Sequence, residues 1–182
     1  MEEHNRFRAW QYNVSDEYKS WFVEDIKKDL KLKSHSFSVL MEHWKGDFNI
    51  STMIRNANAF NASQVFYIGR KKFDRRGCVG THHYVDLNYL NNVEELLKLK
   101  EKYVFIGLDN NVDGCIPIET FEWPENSLMI FGEEGVGISS LLLKNCDYCV
   151  SIGQYGSVRS LNVGTSSGIA MYDYIRKIKR KK

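Results

Sequence analysis

The chain has 182 residues, 43% of them apolar, with a formal net charge of +2 and four cysteines. That length predicts one domain whose core needs neither disulfides nor metal to hold it. No apolar run approaches the ~20 residues of a membrane span, and the opening MEEHNRFRAW lacks the apolar stretch of a signal peptide. The expectation is a soluble cytoplasmic protein with reduced thiols and no membrane partner.

Residues 1–14 are polar with scattered aromatics and read as an arm. Ser15 is placed to cap a helix running to about Leu30, with Tyr18, Trp21, Phe22, Ile26 and Leu30 near one face. Phe37 to Met41 reads as a first strand. Asn49 is placed to cap a helix over Ile50 to Asn61, and Val65 to Ile68 is the next strand. The basic, glycine-punctuated stretch from Gly69 to Tyr84 predicts a long exposed loop before a short strand near Val85. A short helix over Val93 to Glu101 follows, then a strand over Val104 to Leu108 and an irregular connection, Asp109 to Asn126, that holds both prolines. Leu128 to Phe131 is a buried strand ending in a glycine turn, GEEGVGIS, which leads into a helix over Ser139 to Lys144. The stretch from Cys149 to Tyr174 then reads as strand, glycine loop and helix, the helix spanning Val163 to Ile178. Strands alternating with helices predict an α/β fold, a largely parallel sheet covered on both faces. Ligands of such folds sit at the C-terminal ends of strands, where both glycine turns fall.

Charge is unevenly distributed. Arg70, Lys71, Lys72, Arg75 and Arg76 form one cluster, and Lys27, Lys28, Lys31 and Lys33 a weaker one. Six of the last seven residues are basic, so the remainder carries +2 minus 6, or −4. Such clusters suit the phosphates of a nucleic acid, and equally a solvated face and a frayed tail. Cys146 and Cys149 form a CxxC, read as small packing residues at the start of a strand. A zinc site would need two more ligands, and Cys78 with His82 or His83 is too irregularly spaced to supply them, so no metal is expected.

Gly132 to Ser139 has the glycine spacing of a phosphate-binding loop, but Ile138 stands where that loop needs lysine, and Glu133 and Glu134 would repel phosphates. A cofactor with a nucleoside and no phosphate remains compatible. Arg55, among Met53, Ile54, Ala57 and Ala59, reads either as a snorkelling or salt-bridged side chain or as a guanidinium aimed at phosphate or ribose oxygens.

Three ordered segments resemble the SpoU/TrmH branch of the SPOUT RNA methyltransferases. They are Asn49 to Arg55 with Asn56; IFGEEGVGIS, with Gly132, Glu134, Gly137 and Ile138 on the family's GxExxGI; and IGQYGSVRSLNV, with Ile152, Gly156, Ser160, Leu161, Asn162 and Val163 on its IPxxGxxxSLNV. Gly153 departs from the family's usual proline. The wording QYGSVRSLNV is most similar to relatives that methylate a guanosine ribose in tRNA.

The resemblance implies a C-terminal trefoil knot, residues 1–35 as an N-terminal arm and helix, and residues 36–182 as the methyltransferase domain with a basic tail. It implies methyl transfer from S-adenosyl-L-methionine to a ribose 2′-hydroxyl of tRNA or rRNA, with S-adenosyl-L-homocysteine as product. Leu108, Gly132, Ile152 and Leu161 would contact the cofactor through their backbone. Glu134 would hold the glycine loop by accepting backbone or side-chain hydrogen bonds, Asn49, Ser160 and Asn162 would order the pocket beside the methyl group, and Arg55 would assist the hydroxyl. Arg70, Lys71, Lys72, Arg75, Arg76 and Arg159 would hold RNA. A homodimer is expected, with Ile169, Met171, Tyr172 and Ile175 either facing the partner or buried in one subunit. The competing reading is a non-catalytic knotted module for RNA binding or dimerisation; the presence of Arg55, Glu134, Ser160 and Asn162 favours the enzyme.

Overall fold

The computed structural model describes residues 13–44 and 46–180, so most of the N-terminal arm and the last two lysines lie outside the described residues. Among these residues seven strands form one sheet: β1 (Ser38–Glu42), β2 (Val65–Ile68), β3 (Leu87–Leu90), β4 (Val104–Leu108), β5 (Ile116–Pro117), β6 (Ser127–Phe131) and β7 (Tyr148–Ser151). Their order is β3-β2-β1-β6-β4-β7-β5 and every pairing is parallel. Among the described residues, five α-helices accompany them: α1 (Val23–Leu32), α2 (Asp47–Ala59), α3 (Val93–Lys98), α4 (Ser140–Asn145) and α5 (Val163–Arg180).

Strands β1, β2 and β6 are buried along their whole length, which is why VLM, VFYI and LMIF read as unbroken apolar runs rather than alternating ones. Alternation still decides which side chain meets which layer. Val39, Met41, Ile106, Met129 and Phe131 point to the face covered by α2 and α5. Leu40, Phe105, Leu128 and Ile130 point to the face covered by α3 and α4, against Leu96 and Leu142. Burying one such side chain contributes roughly 1.5–3 kcal/mol.

Helices α2 and α5 approach closely because α5 offers small residues. A Cβ on Gly164 would lie 2.8 Å from the Thr52 side chain, and Asn56 Nδ2 donates to Gly164 O at 2.9 Å and to Ser167 Oγ at 3.0 Å. Helix α1 stands apart from this core, since Val23 and Ile26 form a separate small cluster with Tyr84.

Several expectations are corrected. Ser15 begins only a 3-10 turn over Asp16–Tyr18, and α1 starts at Val23 because the chain around Trp21 is not helical. Asn49 does not cap α2: Gly46 precedes the helix, and Asn49 lies inside its first turn, buried. The strand expected near Val85 runs over Leu87–Leu90, and the connection after Asp109 contributes the short edge strand β5, where Pro117 is tolerated because an edge needs fewer ladder donors.

The thiols are not all reduced. Cys115 and Cys149 form a disulfide, with Cα atoms 4.6 Å apart, because β5 lies directly beside β7. Cys78 and Cys146 are free, and burial pushes the Cys146 thiol up to about 12. Met171 is fully buried within the subunit, whereas Tyr172 is 59% exposed. Arg176 and Lys177, counted in the basic tail, are tied to Asp173, and Lys177 also donates to Phe121 O at 2.9 Å.

Candidate cofactor and active site

At the C-terminal ends of β4, β6 and β7 lies a cleft of about 550 Å³, within the range of small-molecule sites. All four residues expected to contact the cofactor, Leu108, Gly132, Ile152 and Leu161, line it. It is built from three loops, each leaving a strand end, so its walls are far apart in sequence and adjacent in space.

The first wall is the glycine turn after β6. Glu133 and Gly137 exchange two backbone hydrogen bonds, N–H to O at 3.0 and 2.8 Å. That closure presses the turn on itself: a Cβ on Gly132 would sit 2.1 Å from Gly137 C and 2.2 Å from Ile138 N, which is backbone and has no room to yield. Gly137 has φ of +80°, a left-handed conformation that suits glycine. Ile138 is buried in the core and its N–H points to Asp109 Oδ2 at 3.4 Å, while Ser139 N donates to Glu42 Oε2 at 2.8 Å. Where a phosphate-binding loop would hold a lysine, this turn has a core side chain, and the cleft carries Asp109, Glu133 and Glu134.

The second wall is the start of the 109–126 connection. Asn110 uses its whole amide on Ile152, accepting from its N–H at 2.9 Å and donating to its carbonyl at 2.7 Å. What the Ile152 backbone retains for a ligand is the second lone pair of its carbonyl. The disulfide Cys115–Cys149 ties the same two segments just beyond the cleft.

The third wall is the loop 152–162. Asn162 caps α5 by accepting from Thr165 N at 3.2 Å, and donates through Nδ2 to Asn49 Oδ1 at 2.8 Å and to Glu134 Oε1 at 2.5 Å. This one amide joins α2, the glycine turn and α5. Ser160 and Arg159 line the cleft, both exposed. Gly153 is outside the left-handed region, and a Cβ there would meet only the Tyr155 hydroxyl at 3.2 Å and the Glu119 carboxylate at 3.3 Å. No motif in the sequence marked Asp109 and Asn110, or Gln154, whose Oε1 is buried at the cleft without a hydrogen-bond partner among the described residues.

Arg55 is brought near this group but does not line the cleft. It is exposed, nearly two turns below Asn49 on α2, and makes no salt bridge or hydrogen bond among the described residues. The basic loop after β2 is more constrained than expected. Arg70 pairs with Asp47 and Arg76 with Asp74, while Lys71 lies over the Tyr89 ring at 5.1 Å and Arg75 over Phe73 at 5.9 Å.

Comparison with known proteins fits this geometry. The chain is 35% identical over 77 residues to a tRNA (guanosine(18)-2′-O)-methyltransferase of Saccharomyces cerevisiae, a match covering 42% of this chain and 5% of that protein. The chain thus spans a small part of that relative. The A. aeolicus TrmH/SpoU tRNA modifying enzyme superposes with a TM-score of 0.77 at 21% identity, covering 87% of this chain and 83% of that one. The SpoU methyltransferase AviRb from Streptomyces viridochromogenes, in complex with AdoMet, superposes with a TM-score of 0.71 at 25% identity, covering 80% and 59%. Residues 36–172, which hold all three cleft walls and the sheet that carries them, match the SpoU rRNA Methylase family, and the chain belongs to that family.

Proposed function

We propose that this protein is an S-adenosylmethionine-dependent RNA methyltransferase acting on a ribose 2′-hydroxyl of tRNA or rRNA, with a tRNA guanosine favoured. The observation that carries the reading is the meeting of Asn49, Glu134 and Asn162 beside a cleft lined by Leu108, Gly132, Ile152 and Leu161. The activity of the yeast relative and the AdoMet complex of AviRb support it.

The residues present fit the cofactor. Gly132 lets the turn close on its own backbone at the cleft wall, Gln154 holds a buried acceptor toward the cleft, and Asp109, Glu133 and Glu134 outnumber Arg159 in a lining that suits a sulfonium cation better than a phosphate. S-adenosylmethionine supplies an electrophilic methyl group. Asn162 holds Asn49 and Glu134 in place, so the floor beside that methyl is preorganised before RNA arrives. Arg55 orients the incoming 2′-hydroxyl and stabilises negative charge on its oxygen as the proton leaves. A guanidinium holds its protons too firmly to serve as the base, so an RNA phosphate accepts the proton.

A trefoil knot is part of this proposal. Supporting it are the insertion of β7 between β4 and β5, the clasp of Asn110 on Ile152, and the return of α5 against Phe121 and Trp123. So is a homodimer in the cytoplasm: Tyr155 and Tyr172 are exposed, while Met171 is not available to a partner. No helix among the described residues is long and apolar enough to cross a membrane. Residues 1–35 are proposed as a substrate-selecting arm outside the methyltransferase domain.

The test is calorimetry with S-adenosylmethionine followed by mapping of 2′-O-methyl groups in unfractionated tRNA and rRNA incubated with the protein. Heat of binding and a new ribose methyl are expected. No heat would favour the non-catalytic module. Arg55→Lys tests the guanidinium fork, and fully retained turnover at neutral pH would refute its role.

A further inference from the structure

A second cleft, of about 400 Å³, lies between α1 and the body of the domain, at the opposite end of the sheet from the first. It is lined by the residues that precede strands β2, β3 and β4, including Gln64, Asp86 and Lys102, and by Lys27, Lys28 and Lys31 of α1. All four lysines are exposed. Only Lys28 has an acidic partner among the described residues, Asp25 at 3.7 Å, and Asp86 is occupied by Gln64 Nε2 at 3.0 Å. Asn58, Asn61 and Ser34 add polar side chains to the lining.

This cleft is linked to the basic loop after β2. The 69–86 connection leaves the upper end of β2 and descends along the flank of α2, held there by Ser51, whose Oγ donates to Asp74 O at 3.4 Å and receives the Cys78 thiol at 3.5 Å. Two histidines complete the descent, His82 and His83, with ring centroids 4.0 Å apart. Burial is the main reason that His83 and Cys78 depart from their ordinary values. At His83, which is lowered, the charges of Arg75 and Lys27 add to it; at Cys78, which is raised, the Ser51 hydrogen bond and then the charges of Arg75 and Arg55 oppose it. Cationic groups separated in sequence thus follow one another down the side of α2, whose 13 residues span roughly 20 Å.

We propose that the flank of α2 is an RNA-backbone track, running from Lys71, Lys72 and Arg75 beside Arg55 to the cleft formed by Lys27, Lys28, Lys31 and Lys102. This rests on the RNA methyltransferase reading and names how the substrate lies on the protein. Lysines bind phosphate as mobile point charges without reading bases, and the amides of Asn58 and Asn61 add donors for phosphate and ribose oxygens, Asn61 through the N–H it does not give to Leu30 O. A track of this length holds a folded RNA at a distance from the reacting ribose, so α1 selects substrates by shape and not by sequence.

The test uses the full chain and unfractionated tRNA. Lys27→Ala/Lys28→Ala/Lys31→Ala is compared with wild type and with Lys98→Ala/Lys144→Ala, two exposed lysines on the opposite face of the sheet. The triple variant should bind tRNA on the order of tenfold more weakly or worse, and the slope of log affinity against log salt should fall by about two. Its affinity for S-adenosylmethionine and its kcat at saturating tRNA should match wild type, which separates lost substrate contact from misfolding. The double variant should bind as wild type. A triple variant with unchanged tRNA affinity and slope would overturn the track while leaving the methyltransferase reading intact. A wild-type protein that binds the cofactor and no RNA would overturn both.

Discussion

Asn49 and Asn162 stand 113 residues apart in the chain, and their side-chain amides meet at 2.8 Å above the sheet. The same Nδ2 of Asn162 reaches Glu134, so one side chain joins two walls of the cleft and its oxygen caps α5. The structural role and the proposed catalytic one can be separated at this position.

Asn162→Ala removes both donors and the cap, and should cost about 1 kcal/mol of stability and on the order of a hundredfold in kcat. Asn162→Asp keeps the cap and places a negative charge at a helix N-terminus, which is favourable, but turns an acceptor toward Asn49 Oδ1 and Glu134 Oε1. It should melt near wild type yet lose as much kcat. Thermal melts beside methyl transfer to tRNA distinguish the two substitutions.

The Cys115–Cys149 bridge closes a loop of sequence separation 34, whose removal from the unfolded ensemble corresponds to about 4 kcal/mol, with measured values for such bridges nearer 2–4. Reduction should lower the denaturant midpoint accordingly. It should also weaken S-adenosylmethionine binding several-fold, because the bridge anchors the segments carrying Asn110 and Ile152. Cys115→Ser/Cys149→Ser should be insensitive to reductant, and alkylation without reductant should label only Cys78 and Cys146 once the protein is unfolded.

Burial, reinforced by the charges of His83 and Arg75, pushes His82 down to about 4. The folded protein therefore refuses a proton that the unfolded chain accepts below ~6.5. Stability is unaffected above that value, declines as pH falls from about 6.5 to about 4, and levels off below. Discounted for partial exposure, the loss between pH 7 and pH 5 should be roughly 1 kcal/mol. Urea midpoints at the two pH values should differ in wild type, and His82→Phe should remove much of that difference.

The sequence by itself determined the alternation of strands and helices, because buried parallel strands must be continuously apolar and the helices between them must show a 3.6-residue period. Val65–Ile68 and Val104–Leu108 coincide with their expected bounds. It also marked the three segments that meet at the cleft, since a turn as tight as Gly132 to Gly137 admits only certain residues.

Tertiary structure decided the rest. Asn49 looked like a helix cap because asparagine before an apolar run has that local signature. Its actual neighbour is Asn162, which local pattern cannot reveal. Cys149 belonged in sequence with Cys146, yet β7 lies beside β5, and strand order gave it Cys115 instead. Asp109 and Asn110 carry no motif, and their work begins only when the end of β4 comes beside the end of β7. The basic clusters at 27–33 and 70–76 were separate readings in the chain. The descent of the 69–86 connection along α2 sets them on one flank, because a parallel crossover must return the chain to the other end of the sheet.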